Sequence, residues 1–320
     1  MAEALMAALV LWCVSPRMSF GASSHEVPGR ASGMAPDTRF ATARTATART
    51  ATARTEMTGT EMTGVRMTGT DRISFPAGDR ARIARLLDDR PAGRDMASRL
   101  DWVSAKLLGT PYLANTLIGG PEVPEALVIR LDGVDCYTFI DLARALALAR
   151  DTADFIPVLK QTRYRDAQVQ FDHRRHFLTD WVAFAPRNAR DITATLSPHA
   201  RHIRKRLNLR ADGGHYIPGL PVRSRDVTFL PPQAVTPEVL DGIRTGDVIG
   251  IYTALDGLDV THTGLAIRKR DETGREDVYF RNASSLKANR KVVDTRLVDY
   301  VRNKPGIVVL RMTGISSPGR

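Results

Sequence analysis

The hydrophobic positions of this chain follow a helical period through its middle and a strand-like period toward its end. Ile83, Leu86 and Leu87 share a helical face behind Asp79, which is placed to cap them. After the turn signal RPAG, the residues Met96, Leu100, Val103 and Leu107 predict a second helix that stops at Gly109. The Gly- and Pro-rich loop GTPYLANTLIGG then leads through an expected strand, ALVIRL, into the stretch LDGVDCYTFIDLARALALA at 131–149. There Phe139, Leu142, Ala143, Leu146 and Ala149 fall at helical spacing, and Asp135 is a good N-cap. Phe155, Val158 and Leu159 predict a fourth helix, with Asp154 as cap and Pro157 tolerated in its first turn. TPEVLDGI reads as a short helix with Thr236 at the cap and Pro237 at the first position.

From there the period changes. GDVIGIYTA, THTGLAIRKR, EDVYFRNAS and GIVVLRM read as strands, interrupted by a helical DTRLVDYVRN. Helices first and a run of strands last indicate an α+β fold with a mainly antiparallel sheet. The middle two strands flank RDETGRED, a hairpin loop. If the loop centres near Glu272, His262 lies opposite Asn282, with Cβ atoms roughly 5 Å apart and within hydrogen-bond reach. His262 shares its strand face with Gly264 and Ala266, small residues over which the helix beginning at Cys136 could pack.

The N-terminal part has no such pattern. Residues 41–70 run ATART ATART ATART EMTGT EMTGV RMTGT, pentads with too little apolar surface to offset the entropy of ordering them. Residues 22–73 are therefore expected to be a disordered, weakly basic tether, with residues 74–320 forming the folded domain. The preceding AEALMAALVLWCV is apolar but short of the ~20 residues a bilayer span needs. Residues 1–21 are expected to act as a signal peptide or short anchor, although Glu3 and the lack of a leading Lys or Arg depart from the usual signal pattern.

The 320 residues are 43% hydrophobic and 25% charged, a composition able to bury a core. A net charge of +11 points to an acidic polymer such as nucleic acid, anionic lipid or bacterial cell wall among the partners. No aromatic strand pattern supports nucleic acid, which is not expected as a partner.

Cys136 changes the picture most. It is the one cysteine outside the extreme N-terminus and stands in the first turn of a helix, where unpaired N–H groups favour a thiolate. A buried, inert cysteine is the alternative at that position. With His262 as base and Asn282 orienting its ring, Cys136 would complete a Cys–His–Asn relay for acyl transfer. His173 with His176, and His199 with His202, have i, i+3 spacing but no accompanying metal motif, so neither a metal nor any other cofactor is expected.

Residues 96–312 resemble the NlpC-type, papain-like cell-wall peptidases, in their N-acetylmuramoyl-L-alanine amidase-like branch. The matching pieces are LGTPY at 108–112, VDCYTFI at 134–140, TRYRD with RRHFLTDW, TGDVIGI and THTGLAI. The resemblance implies a papain-like α+β fold and cleavage of an amide bond in peptidoglycan or muropeptides, in the periplasm or outside the cell. It makes Cys136 the nucleophile and His262 the base. It also places Tyr112 near the oxyanion or substrate, offers Asp135 as a substrate contact, and makes Arg175, His176 and Trp181 a structural or substrate-lining element. Where this branch commonly carries histidine as its third polar residue, this chain has Asn282 in RNASS. Two alternatives stay open: cleavage between γ-D-glutamate and the diamino acid of the stem peptide, and a wall-binding domain without activity.

Overall fold

In the computed structural model, which describes residues 65–314 other than 69–70, 77, 93–94 and 271, the long apolar strands near the C-terminus form one six-stranded sheet. Its strands are β4 (Ala189–Asp191), β7 (Val248–Tyr252), β8 (Val260–Arg270), β9 (Glu276–Ala283), β10 (Val292–Arg296) and β11 (Ile307–Met312). They lie in the order β10-β9-β8-β7-β11-β4, each antiparallel to its neighbours. The helices α1 (Asp79–Asp88), α2 (Met96–Ala105), α3 (Cys136–Leu148) and α4 (Thr152–Arg163) precede most of it in sequence. This is the expected α+β arrangement of N-terminal helices and a mainly antiparallel sheet.

Each face of the sheet buries a separate apolar cluster. Leu265 and Ile267 of β8 join α3 residues such as Phe139, Leu142 and Leu146 in the larger core. Ala266, Phe280, Ile249 and Ile251 belong to the second core, closed by α7 (Pro237–Gly242) and α8 (Leu297–Val301). Period-two alternation thus sorts β8 between two cores. It also corrects one expectation: the body of the Cys136 helix lies over the Leu265/Ile267 face, not over Gly264 and Ala266. The buried Arg281 of β9 anchors that helical layer by donating to the Asp101 carbonyl and carboxylate, at 3.1 and 3.0 Å, and to Ser104 Oγ at 2.8 Å.

Several local expectations shift. Asp79 is the first helical residue rather than the cap; Gly78, at φ 86°, takes that place, and Asp79 Oδ2 accepts from Leu131 N at 2.9 Å. Asp151, not Asp154, caps α4, which places Pro157 inside the helix instead of in its first turn. Strands β1 (Val65–Thr68) and β2 (Asp71–Ser74) pair antiparallel, and β2 runs parallel to β3 (Leu127–Val128), which gives the end of the pentad segment an apolar neighbour. The expected signal or anchor segment 1–21, and the tether up to residue 64, lie outside the described residues.

The Arg- and His-rich middle, expected as irregular, contains α5 (Asp180–Ala183), α6 (Thr193–Leu196) and an antiparallel ribbon of β5 (Arg201–Leu207) with β6 (Arg223–Phe229). Among the described residues no helix is long and apolar enough to cross a membrane.

Candidate active site

Cys136 is the first residue of α3 because Asp135 halts the extended chain before it. Asp135 Oδ1 accepts from Thr138 N at 2.7 Å, while Thr138 Oγ1 accepts from Asp135 N at 2.8 Å, a reciprocal capping box. Asp135 is buried and this duty occupies Oδ1. Cys136 is buried at the positive end of a 13-residue helix, a position that favours a thiolate.

The backbone before Cys136 is held by LGTPY. Tyr112 bridges Val134 in parallel, with Leu113 N donating to Val134 O and Val134 N to Pro111 O, both at 3.0 Å. On its other side Tyr112 N donates to Arg290 O at 2.9 Å, and Val292 N to Thr110 O at 2.8 Å. Val292 and Val293 of β10 pair with Ala283 and Asn282 of β9. A continuous strip of backbone therefore links the Cys136 segment to the strand that carries Asn282. Tyr112 is buried within that strip, its ring 5.4 Å from the Arg290 guanidinium carbon.

His262 stands beside a bulge, where the pairing of β7 with β8 shifts between Ile251 and Tyr252. Its Nε2 lies 2.9 Å from Asn282 Oδ1. The register reaches this contact differently from the expectation. The hairpin centres on Thr273, one residue later, as the Leu265–Arg281 and Arg270–Glu276 pairs show. Asn282 is thus level with Gly264 and diagonal to His262. A shift of two in the partner keeps the same face, so the two side chains still meet. Gly264 makes the diagonal passable, since a Cβ there would sit 2.8 Å from Asn282 Cβ.

The chemistry of the imidazole follows from its partner. Asn282 Nδ2 donates to Phe280 O at 3.2 Å, which fixes the amide and turns Oδ1 toward the ring. An amide oxygen only accepts, so Nε2 carries the proton and Nδ1 is the basic nitrogen. Phe280 meets the ring edge-on at 5.9 Å, and Tyr300 of α8 lies nearly parallel to it at 6.4 Å. Sequence reasoning missed both aromatic neighbours: Phe280 could have been read from its alternation with Asn282 on β9, whereas only tertiary packing brings Tyr300 of α8 beside the histidine.

Arg175, His176 and Trp181 are all buried. Arg175 donates to the carbonyls of Asp180, Phe184 and Pro186 at 2.8, 3.1 and 2.7 Å. His176 Nε2 donates to Phe171 O at 2.7 Å, and burial lowers its pKa to about 3, so the ring is neutral. Trp181 is fully enclosed in the main core. Next to it, burial raises the Asp180 carboxyl to about 6 despite its 2.9 Å pair with Arg225. Of the two histidine pairs, His173 ends a short 3-10 turn apart from the His176 contact, and His202 lies on β5 while His199 precedes it. No cluster of three metal-ligating side chains occurs among the described residues.

A family model described as N-acetylmuramoyl-L-alanine amidase-like matches residues 102–307. A Bacteroides uniformis structure named as an N-acetylmuramoyl-L-alanine amidase is similar, with 28% identity, a TM-score of 0.55, and coverage of 68% of this chain and 99% of its own. A Bacteroides fragilis structure named as a candidate xylanase is 32% identical, with a TM-score of 0.51 over 65% of this chain and 99% of that one. A Legionella pneumophila structure shares the fold at 24% identity, with a TM-score of 0.60 over 73% and 94% of the two chains. No curated protein matches the chain.

Proposed function

The chain belongs to the N-acetylmuramoyl-L-alanine amidase-like family, and from that premise we propose that it is a cysteine-dependent hydrolase of the bond between the lactyl group of N-acetylmuramic acid and L-alanine. Membership suggests a cell-wall amidase-like hydrolase. The observation that carries the finer reading is the His262–Asn282 hydrogen bond, whose fixed amide leaves Nδ1 as the base.

In this mechanism Nδ1 takes the Cys136 thiol proton and the thiolate attacks the lactyl carbonyl carbon, whose π electrons move to oxygen. The helix start and the Tyr112 region face the developing oxyanion. Collapse of the tetrahedral adduct breaks the C–N bond, and the imidazolium gives its proton to the departing L-alanine amine. Water, deprotonated by Nδ1, then cleaves the thioester to a carboxylic acid and restores the thiol. Asn282 steadies the ring and its positive charge throughout. Tyr112 and Asp135 border the reacting centre, with Asp135 acting first through the helix start. Arg175, His176 and Trp181 hold the wall behind it. The fold is papain-like on this reading, and the substrate places the enzyme in the periplasm or outside the cell.

The test is mass spectrometry of products from a disaccharide tetrapeptide muropeptide. Release of the intact disaccharide and a peptide beginning with L-alanine supports the amidase. Release of a dipeptide, leaving a disaccharide that still carries L-alanyl-γ-D-glutamate, overturns the bond assignment in favour of stem-peptide cleavage.

A further inference from the structure

Away from the relay, the β5–β6 ribbon presents an unusual combination of charge, shape and apolar exposure. Its inward face buries Leu207, Val227 and Phe229. Arg204 and Arg206 occupy the outward face, two residues and therefore about 7 Å apart. Arg201 and Ile203 belong by alternation to the inward face, yet both are exposed, so this end of β5 overhangs the body. Ile203 is one of the few large hydrophobic residues left open to solvent, at 39% exposure.

The charge there is poorly compensated. The ribbon's acidic residue, Asp226, touches Arg204 only at 3.8 Å, with both side chains more than 70% exposed. Arg201, Arg206 and Arg223 make no ion pair with a carboxylate among the described residues; Arg223, opposite Leu207, lies 5.5 Å over the Phe184 ring. Exposed arginines left without counter-charge mark a surface adapted to an external anion. At the overhang an open cavity of about 780 Å³ is lined by His199, Arg201, Pro231, Gln233 and Ala234. Its lining includes a guanidinium, an imidazole and an amide, donor types that suit phosphate.

We propose that this overhang docks the protein on an anionic phospholipid surface. A phosphate headgroup occupies the cavity against Arg201, His199 and Gln233, and Ile203 enters the headgroup layer. An arginine-flanked isoleucine at a protruding ribbon favours a membrane interface over a soluble polyanion, which would leave Ile203 in water. The assignment does not depend on the relay chemistry, so either can fail without the other.

The experiment is co-sedimentation of the full chain with vesicles of phosphatidylglycerol and phosphatidylcholine, against vesicles of phosphatidylcholine alone. Binding should require phosphatidylglycerol and weaken with salt. Arg201→Gln should bind about fivefold more weakly. Its thermal unfolding and its turnover of a soluble muropeptide should match wild type. Ile203→Ser should weaken binding with the charge intact. Equal binding to both kinds of vesicle, or an unchanged affinity in Arg201→Gln, would overturn the proposal. So would equally tight binding to soluble polyphosphate at matched phosphate concentration.

Discussion

His262 and Asn282 meet on a diagonal across β8 and β9, at 2.9 Å, over a glycine that leaves the line between them open. The contact therefore depends on three positions. Gly264 gives clearance, the Phe280 carbonyl turns the amide, and a bulge in the pairing with β7 lies next to the histidine.

Gly264→Ala should cost more than its one added methyl suggests. The new Cβ would lie 2.5 Å from Arg281 O, 2.7 Å from the Phe280 ring and 2.8 Å from Asn282 Cβ, and the first of these is backbone that cannot turn away. We expect a loss of about 1–3 kcal/mol by urea denaturation. Turnover should fall further than stability alone explains, because the strands must part where the relay is built. Unchanged turnover would mean that the diagonal contact is not needed.

Asn282→Ala should lower kcat roughly 10- to 100-fold with little change in KM, since it loosens the base without touching the substrate. Asn282→Asp places a negative charge on Nε2–H, favours the imidazolium and should move the acidic limb of the pH–rate profile upward. A kcat/KM profile from pH 5 to 9 distinguishes this from a purely structural loss, which would lower the curve without moving it.

The helix start is separately testable. Asp135→Ala removes the acceptor for Thr138 N and should destabilise the protein by about 0.5–2 kcal/mol, with a larger proportional loss of activity because Cys136 is the next residue. Asp135→Asn keeps an accepting oxygen and should restore most of the stability. If it restores stability but not activity, the carboxylate contacts substrate directly.

Much of this was legible in the sequence because it depends on local chemistry. The Asp135 cap, the Cys136 helix and the hairpin that faces His262 toward Asn282 follow from spacing alone, and a register error of one residue in the loop left the face unchanged. The side of β8 on which α3 lies did not follow, since small residues on one face signal space without saying what fills it: Gly264 was filled by Asn282 and Phe280 of the next strand. The β5–β6 ribbon was missed because its sequence, RHIRKRL, alternates charge with charge, and only Lys205 and Leu207 face inward to be buried. Arg175, His176 and Trp181 carry polar groups that suggest a site, but their burial, and the hydrogen bonds of Arg175 and His176 to backbone carbonyls, were not legible in the sequence.

His176 makes stability depend on pH. Its folded pKa, about 3, lies below the unfolded value near 6.5, so the unfolded chain binds the extra proton as pH falls. Stability is fully present above pH 6.5 and is lost progressively toward pH 3. Between pH 7.5 and 5 this group should account for about 2 kcal/mol. His176→Gln should start less stable at pH 7.5 but lose less on acidification, as read from urea unfolding at both pH values; parallel losses in the two proteins would contradict the assignment.

The central claim, that Cys136 is the nucleophile of a peptidoglycan amidase, is tested most directly by incubating purified sacculi with wild type and with Cys136→Ala and weighing the soluble products. Wild type should release stem peptides with a free L-alanine amine, and Cys136→Ala should release none while remaining folded. Undiminished release by Cys136→Ala would contradict the account.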